Sequence, residues 1–398
     1  MLDLERRIET FVAADLSAKM VFVAGPRQCG KTTMAERLLA KESPPGAYFN
    51  YDVAAHRSVL RGGALPEAAP LWVLDEIHKM VTWRNWLKGL WDLHRKTHRI
   101  LVTGSARLDA YRRGGDSLQG RYFLHRMHPI TLSELCGLPA PDPSRLPELP
   151  SAAPPDATEK LAALMRFGGF PEPLLGGSDR RAARWRLGYG TRLVREDLRD
   201  LERVRDLDKL ELLLERLPVA VGSVLSINSF RGDLEVAFET VRSWIAALER
   251  LYAVFRVPPL GAPRIKAVKK EQKLYFWDWS RIDDPAARFE NLVVLHLLRL
   301  CHHLEDVEGE RAELRYLRDV VGHEVDAVVL RKGRPWLAVE VKLADRPLDA
   351  NLRYFLERVH VPYAFQVSLD GSIDRRLPDI HRTVVRQVPA ATFLSNLP

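Results

Sequence analysis

Residues 25–33 read GPRQCGKTT, and no other stretch limits the fold of this chain as strongly. They satisfy the pattern GxxxxGK[ST], in which a glycine-rich loop carries a buried strand into a helix. Both flanks fit, because Met20 to Ala24 is a short apolar run and Met34 to Leu39 has helical patterning. The stretch Gly25, Pro26, Arg27, Gln28, Cys29, Gly30, Lys31, Thr32 and Thr33 is therefore the expected nucleotide-binding loop. Its glycines let the backbone curl so that N–H groups face an anion, and the helix N-terminus adds partial positive charge. Lys31 is expected on the β and γ phosphates of ATP, and the Thr32 hydroxyl on Mg²⁺.

A loop of this kind needs acids at a neighbouring strand end. LWVLDEIHK at 71–79 supplies them, since Leu71 to Leu74 has the length of a central strand and ends in Asp75 and Glu76. A parallel sheet presents its carboxyl ends at the ligand crevice, which puts both acids beside the loop. Asp75 is expected to bind Mg²⁺ through water and Glu76 to polarise the attacking water. Thr82 precedes a helix with the apolar stripe Trp83, Trp86, Leu87, Leu90 and Trp91, which reads as core. Ile100 to Thr103 reads as a further strand, with Thr103 or Ser105 near the γ phosphate. Arg121, ahead of the strand Tyr122 to His125, is the candidate arginine finger, in cis or for a neighbour's site.

At 398 residues the chain exceeds what one core usually serves, so two to four domains are expected. A net charge of +8 suits a polyanionic partner or a generally basic surface. Cys29, Cys136 and Cys301 lack metal-ligand or disulfide spacing, which points to a reducing compartment. The N-terminus has no signal-peptide pattern and no run is long enough for a membrane span. The expected location is cytoplasmic, with no membrane contact.

The set GPRQCGKTT, VLDEIHK, ILVTGSA, LQGRYFLHRMHPITLSEL and FGGFPEPL resembles the prokaryotic AAA-type ATPases that carry a C-terminal domain of uncharacterised function. The resemblance spans essentially the whole chain. It implies an AAA-type parallel-sheet P-loop core with Lys31, Thr32, Asp75 and Glu76 in the roles given above.

Residues 139–157 hold seven prolines and few bulky side chains, so a linker is expected there. Beyond it, FGGFPEPL and a run of helices through Arg192, Arg195 and Arg199 fit a small helical lid. Helices at 207–217, 226–234 and 236–251, followed by a hairpin, fit a winged helix-turn-helix. Arg242 and Ser243 lie on the exposed face of its last helix. Lys266, Lys269, Lys270 and Lys273 are expected on or near the wing, where phosphates are met. Asp233, Glu235 and Glu239 crowd the entrance of that helix, which leaves a protein partner open beside nucleic acid.

The segment 323–343 reads as a hairpin centred on Gly333, pairing residues whose numbers sum to 666. That register puts Asp326 opposite Glu340 and Glu324 opposite Lys342 on one face. Val325, Ala327, Val329, Leu337, Val339 and Val341 take the other, buried face. Two paired carboxylates repel unless a cation lies between them, so Asp326 and Glu340 are candidate Mg²⁺ ligands. Lys342 is the candidate catalytic cation, and Glu290 a further ligand from the preceding helix. The acid helix, the Asp and the ExK on the next strand resemble the PD-(D/E)XK nuclease superfamily over about the last 120 residues. Val325 stands where that pattern has proline. A metal nuclease, a nuclease fold without cleavage and a plain salt-bridge set all remain open.

The expected architecture is α/β throughout. It comprises an AAA-type core at 1–140, a linker and helical lid at 141–200, a winged helix at 201–275 and a restriction-endonuclease-like α/β domain at 276–398. The expected partner is nucleic acid, DNA before RNA, with room for a protein partner and for a homo-oligomer.

Overall fold

The computed structural model describes residues 4–104, 118–149, 152–198, 206–260 and 272–398. Ser105, Arg199, Lys266, Lys269 and Lys270, all named above, lie outside the described residues. The chain divides into two compact units, Met1–Pro129 with Arg250–Tyr252, and Ile130–Glu249 with Ala253–Pro398. The division falls after Pro129, ahead of the boundary expected near residue 140. Apart from Arg250–Tyr252, the segments expected as lid, winged helix and nuclease-like domain belong to the second unit.

In the first unit, β1 (Met20–Ala24), β2 (Ala47–Asn50), β3 (Leu71–Asp75), β4 (Arg99–Gly104) and β5 (Tyr122–Arg126) form one sheet in the order β2-β3-β4-β1-β5. Every pairing is parallel. β1 and β3 are buried at every position, as the apolar runs of strands covered on both faces require. The helix Trp83–His94 turns Trp83, Leu87 and Trp91 inward, and these join Phe22, Trp72 and Leu74 in one core. The tryptophan stripe is core.

In the second unit, the helices Leu207–Arg216, Ile227–Leu234 and Phe238–Arg250 precede β6 (Val254–Val257) and β7 (Lys273–Phe276), which pair antiparallel. Asp278 and Trp279 then lead to the helix Pro285–Asp306. Asp284 caps this helix by accepting from the Ala287 N–H, and Pro285 occupies its first turn. A mixed six-stranded sheet follows in the order β12-β13-β11-β10-β9-β8, built from β8 (Ala312–Arg318), β9 (Glu324–Arg331), β10 (Arg334–Ala344), β11 (Tyr363–Asp370), β12 (Arg375–Arg376) and β13 (Val384–Pro389).

The β9–β10 hairpin carries an irregularity between Pro335 and Leu337. Past it, Leu337 pairs with Val329, Ala338 with Val328 and Val339 with Ala327, in the register summing to 666. Val325, Ala327, Val329, Leu337 and Val339 are buried as expected, while Val341 is half-buried. Val328 and Ala338, on the face expected to be polar, are buried as well. The helix Ala350–Leu356 covers them, since Leu352, Phe355 and Leu356 join Val328 and Ala338 in one core.

Candidate nucleotide site and a second acidic cluster

The loop after β1 is shaped by its glycines. Gly25 has φ of +156°, and a Cβ there would run into the Met127 carbonyl. Gly30 sits at φ +102° directly before the helix Lys31–Ala40, a conformation that favours glycine. Lys31 is buried and donates to the Gly25 and Pro26 carbonyls at 2.9 and 2.7 Å, so its ammonium lies over the loop itself. Gln28 is exposed at φ +61°, Cys29 is buried, and Thr32 and Thr33 are exposed.

Arg6, which sequence reasoning missed, supports the loop from behind. Its guanidinium donates to the Cys29 carbonyl at 2.8 Å and to the His128 carbonyl at 2.6 Å, and the side chain is buried. A trans peptide sends its C=O and the next N–H in opposite directions. Holding the Cys29 carbonyl on the outside therefore turns the Gly30 N–H toward the inside of the curl.

Asp75, at the end of β3, collects four neutral donors. Thr103 reaches Oδ1 at 2.6 Å, while Tyr48, Thr32 and Asn50 reach Oδ2 at 2.6, 3.2 and 3.4 Å. The Thr103 hydroxyl, expected near the γ phosphate, is thus committed to Asp75. Tyr48 and Asn50 come from β2, whose register sets Asn50 beside Asp75, and nothing in their own sequence marked them. Burial and then the Asp75 carboxylate push the Tyr48 hydroxyl well above its ordinary range, so it stays a donor.

Glu76 follows at φ +55°, a left-handed conformation unusual for a glutamate and held by its N–H on the Thr103 carbonyl at 3.0 Å. Burial pushes its carboxyl up to about 7, with Lys31 opposing and Asp75 reinforcing the shift. Arg121 lies in a two-pronged pair with Asp92, at 3.0 and 3.2 Å.

The donor set suits the groups expected of it. Thr32 and Asp75 offer hard oxygens 3.2 Å apart, the kind Mg²⁺ takes, and the curled loop with Lys31 offers N–H and ammonium donors to phosphate.

Residues 17–136 match a family model described as an AAA domain. The match supports an AAA-type P-loop ATPase core in this part of the chain. Two further models, each described as a domain of unknown function, match residues 158–281 and 286–373. An uncharacterized protein of Mycobacterium bovis and one of Mycobacterium tuberculosis are each 27% identical over 338 residues, covering 83% of this chain and 71% of theirs. Among solved structures, the Aeropyrum pernix ORC1 protein in complex with DNA overlaps at 15% identity and a TM-score of 0.33. It covers 74% of this chain and 92% of its own. The S. cerevisiae Hsp104-ADP complex overlaps at 17% identity and a TM-score of 0.28, covering 61% and 38%. Among the described residues, no helix is long and apolar enough to cross a membrane.

The expected acids of the second unit do come together, but in company the sequence did not suggest. Lys273, expected on the wing, is fully buried, with its ammonium 2.5 Å from Glu324, 3.1 Å from Glu290 and 3.9 Å from Asp326. It is the first residue of β7 and shares a face with Tyr275, whose hydroxyl also reaches Glu290. Burial opposes its charge, but Glu290, Asp326 and Glu324 together hold the ammonium above its ordinary range.

Lys342 bonds Glu340 at 2.6 Å and Asp349 at 2.9 Å; the expected pairing with Glu324 is not made. The β9–β10 ladder ends at Ala327 and Val339, so residues beyond it are no longer opposed in strict register. There the carboxylates take over the ladder. Asp326 accepts from the Val341 N–H at 2.8 Å, and Glu340 accepts from the Asp326 N–H at 3.4 Å. Burial raises the carboxyls of Glu290 to about 7 and Glu340 to about 8, with the charge of Asp326 adding to each.

Proposed function

We propose that residues 1–129 bind and hydrolyse Mg·ATP, and that nucleotide state governs how the second unit engages a nucleic acid. The observation that carries the hydrolysis reading is Asp75 fixed by four neutral donors, one of them the Thr32 hydroxyl, beside a Lys31-bearing phosphate loop. In this reading Lys31 leaves the loop carbonyls for the phosphates, while Thr32 and Asp75 hold the metal. Bound Mg²⁺ would neutralise phosphate charge. Glu76, poised near neutrality, takes the proton of the attacking water. Arg121 serves as the finger, for its own or a neighbour's site, by exchanging Asp92 for phosphate.

The test is phosphate release and ATP-analogue affinity of the purified chain with Mg²⁺. Lys31→Ala should lower kcat/KM by at least about 100-fold, the scale of losing one preorganised charge at a transferring phosphoryl group. A wild type without affinity for ATP, or a Lys31→Ala protein that hydrolyses normally, removes the reading.

The helices 207–250 with the β6–β7 pair support the winged-helix reading, and the basic sequence 264–270 supports nucleic acid. One observation favours a protein partner instead. Arg242 is paired with Glu239, and Arg216 with Asp233, so arginines of this helical unit already have acidic partners. Binding to DNA should fall steeply as salt rises, because phosphate contacts release counterions. Binding that ignores ionic strength, or none, favours an ATP-dependent switch that holds a protein. Metal-dependent cleavage through Asp326, Glu340 and Lys342 is the part of the nuclease-like reading that the cluster geometry supports least.

A further inference from the structure

Every carboxylate expected to hold a metal in the second unit already has donors of its own. Lys273 Nζ lies against Glu324, Glu290 and Asp326, at 2.5, 3.1 and 3.9 Å. Arg318 takes the other oxygen of Glu324 at 2.8 Å, and the Tyr275 hydroxyl donates to Glu290 at 2.7 Å. Lys342 bonds Glu340, and the Val341 N–H bonds Asp326. A divalent cation seated among Glu290, Asp326 and Glu340 would have to share that space with a buried ammonium, and the two repel without water between them. As it stands, the donor set does not fit a metal.

We propose that Lys273 is a tethered cation that closes this acidic cluster: its ammonium stands in place of a divalent metal and clamps β7 to the helix Pro285–Asp306 and to β9. The cluster is then an ion-paired joint between the helical unit and the C-terminal sheet, and not a metal-dependent nuclease centre.

Three further features hold the lysine in place. Asn291, next to Glu290 on the helix, bonds both the N–H and the carbonyl of Phe276 at 2.7 Å, so β7 is fixed to the helix at its far end. The strand edge is held near Lys273 as well, by bridges from Val224 to Lys273 and from Val221 to Leu274. The Tyr316 ring flanks the ammonium, with its centroid 5.4 Å away. Lys273 cannot swing out while β7 keeps these bonds. Removing its charge without moving the strand should therefore uncover the acids as hard oxygen ligands.

The experiment is Mn²⁺ binding by electron paramagnetic resonance on the full chain without nucleotide, with cleavage of single- and double-stranded DNA and RNA followed in parallel. Because ATP is absent throughout, failure of the ATPase reading would not affect the outcome. Wild type and Asp326→Asn should take up Mn²⁺ equally, and neither should cleave. Lys273→Gln should bind Mn²⁺ at least about tenfold more tightly than wild type, and adding Asp326→Asn should abolish that gain. A wild type that binds Mn²⁺ or cleaves in a way Asp326→Asn removes overturns the proposal. So does a folded Lys273→Gln protein that binds Mn²⁺ no better. Should Lys273→Gln fail to fold, the comparison of wild type with Asp326→Asn still decides.

Discussion

The two acidic sites of this chain are built from similar residues and answered in opposite ways. Asp75 is surrounded by hydroxyl and amide donors from Tyr48, Asn50, Thr32 and Thr103, while the nearby Lys31 is turned onto backbone carbonyls. Asp326, Glu324, Glu290 and Glu340 are surrounded by the ammonium groups of Lys273 and Lys342 and the guanidinium of Arg318. Neutral donors hold a carboxylate in place and leave its charge uncompensated, so a cation is still attracted. Ionic partners offset part of that charge within the protein and occupy the space a metal would need. A lysine near an acid is thus poor evidence for a metal site until the atom the lysine bonds is known.

The difference is broken or sharpened most strongly at Glu76. If its carboxylate takes the proton from water, Glu76→Gln should keep ATP affinity and lose about 10²–10⁴-fold in kcat, the usual range for a general base. The carboxyl is raised to about 7, chiefly by burial. A base works only when deprotonated, so kcat/KM of the wild type should rise from pH 6 to pH 8 and then level off. Glu76→Gln should flatten that profile. A wild-type rate independent of pH across this window would separate Glu76 from the chemistry.

Much of the first unit was legible because its signals are local. The loop 25–33, the apolar runs before it and before Asp75, and the tryptophan stripe each dictate a conformation from adjacent residues, and the sheet and core follow them. What was not legible depends on residues far apart in the chain. Arg6 meets Cys29 and His128, and Tyr48 meets Asp75, only because strand order brings them together. The hairpin register of β9 and β10 was readable from parity and a glycine turn, whereas the end of its ladder after Val339 was not. Lys273 was misplaced for a definite reason: it ends a basic run that reads as a solvated wing, whereas it opens β7 on the side that meets Glu290 and Glu324. A buried lysine has the same letter as an exposed one.

A smaller effect is expected behind the phosphate loop. Arg6 acts on the phosphate loop through the Cys29 carbonyl, so it is a positioning residue. Arg6→Ala should let the Cys29–Gly30 peptide rotate and weaken ATP-analogue binding by about tenfold, near 1.4 kcal/mol. The pH profile set by Glu76 should be unchanged. Arg6→Lys, which can satisfy one of the two carbonyls, should recover part of the affinity. A loss in kcat with affinity intact would instead place Arg6 in the chemical step.

The least disruptive test removes one of the neutral donors that distinguish the first site from the second. Tyr48→Phe deletes a 2.6 Å hydrogen bond to Asp75 Oδ2 and leaves Thr32, Asn50 and Thr103 in place. With three donors remaining, Asp75 should keep its position but be oriented less firmly toward the metal, since a ligand carboxylate is aimed by the hydrogen bonds behind it. The expected result is a roughly threefold rise in the Mg²⁺ concentration needed for half-maximal hydrolysis, with little change in kcat, in line with one modest hydrogen bond among several. A change in kcat as large as that of Glu76→Gln would mean that the Tyr48 hydroxyl itself meets the reacting phosphate. The neutral cage around Asp75 would then be part of the chemistry, and the distinction from the cation-filled cluster would rest on Thr32 and Thr103 alone.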